Sequence, residues 1–149
     1  MQWNQKESAL LKDLKGQEQL CVDKYTRHAD AAHDPQLKNL FTRLAQEEQQ
    51  HLQTIRQLEQ GTLPQTAGGG KSAPAFTAAY TSECKEKKED CYLCADVLAG
   101  EKHVSALYDT CVFEFRQEPV RNALNHIQKE EQEHGKMLYD YMEANGMYS

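Results

Sequence analysis

The feature that most constrains this chain is a Glu-x-x-His pair that occurs twice, 83 residues apart: Glu48 with His51, and Glu131 with His134. Residues three apart share one side of a helix, and the side carrying each pair is otherwise apolar. Heptad steps through the first pair read Leu37, Phe41, Leu44, Glu48, His51, Ile55, Leu58. Through the second they read Val120, Leu124, Ile127, Glu131, His134, Leu138, Tyr141. Such faces are built for burial. A carboxylate placed on one must be paired, protonated or metal-bound.

Thirty residues before each of these glutamates stands another, Glu18 before Glu48 and Glu101 before Glu131. Glu18 lies in the stripe Leu11, Leu14, Glu18, Cys21, Tyr25, His28, and Glu101 in Cys94, Val97, Glu101, Val104, Tyr108, Cys111, Phe115. In both, a tyrosine follows the glutamate by seven residues. No Lys or Arg occupies any of the four stripes, which argues against buried ion pairs as the compensation.

These stripes predict four helices. The first runs from about Ser8, its N-cap, to about Ala29. Asp34 caps the second, Pro35 opens it where a missing N–H is harmless, and Gly61 ends it after Gln60. The third runs from about Ser82 to about Arg116, its charged opening Glu83–Asp90 lying in solvent. Pro119 opens the fourth, which closes at Asn145-Gly146. Between them, residues 61–82 are rich in Gly and Pro and include Gly68-Gly69-Gly70. This segment reads as a crossover running the length of the bundle, because neither hairpin alone can shield its glutamates.

The expected fold is an all-α, antiparallel four-helix bundle, a single domain over residues 1–149. Hairpin one covers about 8–60, the crossover about 61–82 and hairpin two about 83–145. A length of 149 residues suits one domain with a real core. The net charge of −6 argues against nucleic acid as a partner. A polar N-terminus and the lack of a long apolar run give no signal peptide and no membrane partner, and so predict a cytoplasmic protein. Five cysteines, an odd number on helical stretches, read as reduced thiols.

Packed around a pseudo-twofold axis, the hairpins bring Glu18, Glu48, His51, Glu101, Glu131 and His134 to mid-bundle. A Glu and a Glu-x-x-His from each hairpin is the ligand set of di-iron and di-manganese carboxylate bundles. Four carboxylates balance two divalent cations, and oxygen-rich ligation with imidazole suits iron or manganese. The alternative is a polar layer that holds protons and water. Tyr25 and Tyr108 are either core residues or hydrogen-bond donors to the ligand carboxylates. Cys91-Tyr92-Leu93-Cys94, with Cys84 one heptad earlier, reads as free thiols rather than a redox dithiol or a soft-metal clip. His28, His33, His103 and His126 read as surface or loop groups.

The residues also carry a resemblance. Gln17-Glu18 through Tyr25 and Gly100-Glu101-Lys102-His103 through Tyr108 resemble the first and third helices of rubrerythrin-type, ferritin-like proteins, and the Glu-x-x-His pairs resemble the second and fourth. Leu11–Cys21 and Ala123–His134 resemble bacterial spore coat proteins of the Coat F family. The resemblance implies a ferritin-like fold and assembly into the spore coat. The expected partners are a second copy, as a dimer, or other coat proteins. Where rubrerythrin carries an extra glutamate on its third helix this chain has Val104, and no rubredoxin-like iron module follows. Two functional classes stand: a redox protein that reacts slowly with O2 or peroxide, and a structural coat component whose site is stabilising or vestigial.

Overall fold

The structure, a computed structural model, describes residues 1–65 and 71–148. It contains four helices and, among the described residues, no strand: α1 (Gln5–Ala31), α2 (Pro35–Glu59), α3 (Lys85–Glu114) and α4 (Glu118–Ala144). They form a four-helix bundle in which α1 packs on α2 and α3, and α4 packs on α3 and α2.

The first helix starts earlier than Ser8. Asn4 is its N-cap: the Asn4 side chain accepts the Glu7 N–H at 2.8 Å, and Glu7 Oε2 accepts the Asn4 N–H at 2.9 Å. This reciprocal box satisfies two otherwise unpaired backbone donors, which Ser8 could not do. Asp34 caps α2 by accepting the Gln36 N–H at 3.1 Å, with Pro35 in the first turn. At the far end Gly61 takes φ +81°, the left-handed conformation glycine tolerates best. The third helix begins at Lys85 rather than Ser82, and Cys84 at its cap position offers no side-chain hydrogen bond. It stops at Glu114, short of Arg116, because the backbone extends at Phe115 and Arg116 donates its N–H to Glu7 at 3.2 Å. In α4, Glu118 precedes Pro119 as the opening residue, and Asn145 with Gly146 (φ +65°) closes the helix.

Three-residue connections turn α1 back onto α2 and α3 back onto α4. Across the hairpins, Glu18 meets Tyr108 while Tyr25 meets Glu101, so α1 and α3 run antiparallel. His51 meets Glu131 while Glu48 meets His134, so α2 and α4 do too. The end of α2 therefore lies at the opposite end of the bundle from the start of α3. The two helix ends are separated by the length of α2, about 37 Å at 1.5 Å per residue, and the described stretch 71–84 runs back along α2. Arg43 holds it at the Ser72 carbonyl, Gln36 at Thr77, Asn145 at the Ala79 N–H, and Asp90 at the Tyr80 hydroxyl. The Gly68-Gly69-Gly70 run lies outside the described residues.

Two apolar clusters fill the interior. One contains Tyr25, Leu37, Phe41, Leu44, Cys94 and Leu138; the other contains Leu11, Leu14, Ile55, Val104, Tyr108 and Leu124. The four glutamates and two histidines of the stripes lie between them and are buried. Asp90, expected in solvent, is fully buried as well. It accepts the His33 and Asp34 N–H groups at 2.8 and 3.0 Å and the Tyr80 hydroxyl at 2.6 Å. No helix among the described residues is long and apolar enough to cross a membrane.

Candidate metal centre

Each side chain of the buried polar layer is positioned by its helical register. The three-residue spacing places Glu48 beside His51 on α2 and Glu131 beside His134 on α4, and the antiparallel packing of α2 on α4 then interleaves them. His51 Nδ1 lies 2.7 Å from Glu131, 3.2 Å from Glu48 and 3.9 Å from Glu18. His134 Nδ1 lies 2.9 Å from Glu48, 3.4 Å from Glu101 and 3.8 Å from Glu131. The two imidazole rings stack, with centroids 5.6 Å apart. All six residues singled out in the sequence thus meet in one layer.

They form two overlapping sets, Glu18/Glu48/His51/Glu131 and Glu48/Glu101/Glu131/His134. Within each set one donor atom from every residue lies within 4.8 Å of the others. Glu48 and Glu131 belong to both, while Glu18 and Glu101 each belong to one. The protein does not satisfy this layer by itself: Glu18 Oε2, Glu101 Oε2 and Glu131 Oε2 are buried without a hydrogen-bond partner. An unpaired buried polar atom costs about 1–3 kcal/mol, more when charged. Three such oxygens gathered in one buried layer suit a pair of bound cations, so the residues fit the group.

The electrostatics lead to the same place. Burial, the largest factor, and the neighbouring Glu48 push the Glu18 carboxyl well above its usual range. Burial and Glu101 do the same to Glu131. Burial opposes the charge on Glu48, but hydrogen bonds from His134, His51 and Glu18 hold its carboxyl well below the usual range. Burial also works against both imidazolium ions, yet the surrounding glutamates raise His51 and His134 well above ordinary histidine.

Around the layer, each tyrosine reaches across to the other hairpin. The Tyr25 hydroxyl donates to Glu101 Oε1 at 2.5 Å, and the Tyr108 hydroxyl donates to Glu18 Oε1 at 2.6 Å. Burial and these carboxylates push both phenols up, which keeps them protonated as donors.

Two residues of the site went unassigned in the sequence. Glu130 Oε1 lies 3.0 Å from His51 Nε2, and Glu47 Oε1 lies 3.7 Å from His134 Nε2. Each directly precedes the glutamate of a Glu-x-x-His pair and addresses the outer nitrogen of the other hairpin's histidine. The repeated Glu-Glu dipeptide was the available signal. Their surroundings differ: Arg43 pairs with Glu47 at 3.0 Å, whereas Glu130 meets His126 at 3.3 Å.

The remaining candidates lie elsewhere. All five cysteines are free; Cys94 is buried in the apolar core, and Cys91 approaches the Met147 carbonyl at 3.9 Å. His33 is the exposed loop group expected and lies 2.5 Å from Glu89, whereas His28, on α1, is partly buried and lies 2.7 Å from Asp96.

The second hairpin supplies Glu101, Tyr108, Glu131 and His134, and its sequence is the part with a known counterpart. Residues 89–149 match the Coat F domain. The Coat F match takes in α3 from Glu89 onward and the whole of α4. It agrees with the resemblance carried by Ala123–His134, while Leu11–Cys21 lies outside it. No curated protein and no solved structure matches the chain.

Proposed function

We propose that this chain is a spore-coat protein with a ferritin-like bundle whose acid layer binds two divalent transition-metal ions, iron or manganese. The observation that carries this reading is the pair of overlapping donor sets sharing Glu48 and Glu131. Glu18 and His51 would hold one ion, Glu101 and His134 the other, with Glu48 and Glu131 between them. Oxygen and imidazole donors without thiolate in these sets suit iron and manganese. Bound there, the ions supply redox chemistry toward O2 or peroxide. The chain's own part is to orient the donors, exclude water with the two apolar clusters, and hold protons at Tyr25 and Tyr108. The Coat F match supports placement in the spore coat, with other coat proteins or a second copy as partners.

Stopped-flow mixing of reduced, metal-loaded protein with peroxide tests the redox reading. Rapid oxidation supports it, and sustained oxygen release identifies a catalase-like reaction. The Coat F match also favours a second reading, a structural component in which bound metal only stabilises the bundle. Metal-loaded protein that shows no spectral change with peroxide supports that one.

A further inference from the structure

The 83-residue repeat makes His126 the counterpart of Arg43, and Glu130 the counterpart of Glu47. Each histidine of the acid layer is thus covered from the facing helix by a glutamate and the residue one turn before it. The two covers are built alike and differ in charge. Over His134, Glu47 stands 3.7 Å from Nε2 and pairs with Arg43 at 3.0 Å, and Arg43 Nη1 donates to the Ser72 carbonyl at 3.0 Å. Over His51, Glu130 Oε1 stands 3.0 Å from Nε2, and the same oxygen lies 3.3 Å from His126 Nε2.

Access to solvent differs accordingly. The Glu47 side chain is 7% exposed beneath Arg43, whereas Glu130 is 29% and His126 42% exposed. Polar contacts run without a break from solvent through His126 and Glu130 to His51, whose Nδ1 lies 2.7 Å from Glu131. At the other cover the chain is interrupted, since His134 Nε2 is buried without a hydrogen-bond partner. A guanidinium has no acceptor atom and a fixed positive charge, so it repels a cation, while imidazole and carboxylate offer it donors.

We propose that divalent cations reach and leave the acid layer past His126 and Glu130, and that Arg43 bars the matching approach past Glu47. The proposal rests on the dimetal reading above. His126 and Glu130 act on the passage of the ion and stand outside the six donors that hold it. Loading is therefore one-sided, although the donor sets themselves are nearly symmetric.

Exchange of the two covers tests this in the full chain. Chelator-treated protein is mixed with cobalt(II), uptake is followed by the visible ligand-field bands, and release is followed after adding excess chelator. His126→Arg, which copies the barred cover, should slow uptake and release together by about tenfold or more, so that Kd stays near the wild-type value. The double variant Arg43→His/His126→Arg, which moves the opening to the other end, should recover wild-type rates. Asn125→Arg adds the same charge on the neighbouring exposed position of α4 and should leave both rates unchanged. Wild-type rates in His126→Arg overturn the proposal and leave the dimetal reading standing. So does slowing of uptake or release alone, equal slowing in Asn125→Arg, or a double variant as slow as His126→Arg. Wild-type protein that binds no cobalt overturns both.

Discussion

Glu7 and Asp90, 83 residues apart, each accept the backbone of the other hairpin's turn at opposite ends of the bundle. Glu7 takes the Arg116 N–H at 3.2 Å, and Asp90 takes the His33 N–H at 2.8 Å. Arg116 and His33 are themselves 83 residues apart. The repeat seen in the buried glutamates and histidines therefore extends to the ends of the fold, where a buried acid on one hairpin clamps the turn of the other.

Removing the acid should destabilise the bundle without touching the acid layer. Asp90→Ala leaves two backbone N–H groups and the Tyr80 hydroxyl unpaired, and should cost about 2–4 kcal/mol. Glu7→Ala should cost less, because the Arg116 side chain is exposed and can turn to water. Chemical denaturation of both variants after chelator treatment checks the order. Equal stability of Asp90→Ala and wild type would contradict it.

The groups around the six donors should tune affinity rather than stoichiometry. Tyr25→Phe and Tyr108→Phe remove the hydroxyls that steady Glu101 and Glu18, and each should weaken metal binding by about 10–100-fold. Glu130→Gln should fall in the same range and exceed Glu47→Gln. The His51 contact to Glu130 is a hydrogen bond at 3.0 Å, while the His134 contact to Glu47 is 3.7 Å. Competition against a chromophoric chelator measures all four.

What the sequence disclosed followed from the repetition of its pattern. Apolar periodicity located four helices, and two copies of Glu and Glu-x-x-His identified the six residues that the structure brings together. Single-copy and adjacent features were harder to read. Glu47 and Glu130 sit about 100° around the helix from their neighbours, on what looks like a solvated flank. Only the packing of α2 on α4 turns them toward the histidines. Asp90 was hidden in a charged run, although it lies eleven residues before Glu101 and so shares its face. Asn4 lost to Ser8 as the expected cap because the Asn4/Glu7 box begins before the apolar stripe does.

The site's protons give a pH dependence whose sign depends on metal. In chelator-treated protein, Glu18 and Glu131 are raised and keep protons that the unfolded chain loses from about pH 4.3. His51 and His134 are raised likewise and keep theirs above about pH 6.5. All four contributions are full at low pH and are lost as pH rises through the raised values. Glu48 is lowered, and Glu47 is held down to about 2, so their contribution fades as pH falls below about 4.3. Metal-stripped protein should therefore be most stable in mild acid and lose stability toward alkaline pH. Metal-loaded protein should gain on it with rising pH, because ions compete with those protons. Melting temperatures with and without manganese should diverge from pH 5 to pH 8, an interval of about three pH units. A gap that narrows over that interval would contradict the assignment.

The most direct test of the centre is metal stoichiometry across the ligand variants. Purified without chelator and then saturated with iron(II) or manganese(II), the wild type should hold about two ions per chain. Glu18→Ala and Glu101→Ala should each retain about one, since each residue serves one donor set. Glu48→Ala and Glu131→Ala should each lose tight binding of both, because these residues are common to the two sets. Elemental analysis after gel filtration reads the result. Wild-type protein that takes up no metal, or Glu48→Ala that binds as the wild type does, would contradict a shared dimetal centre.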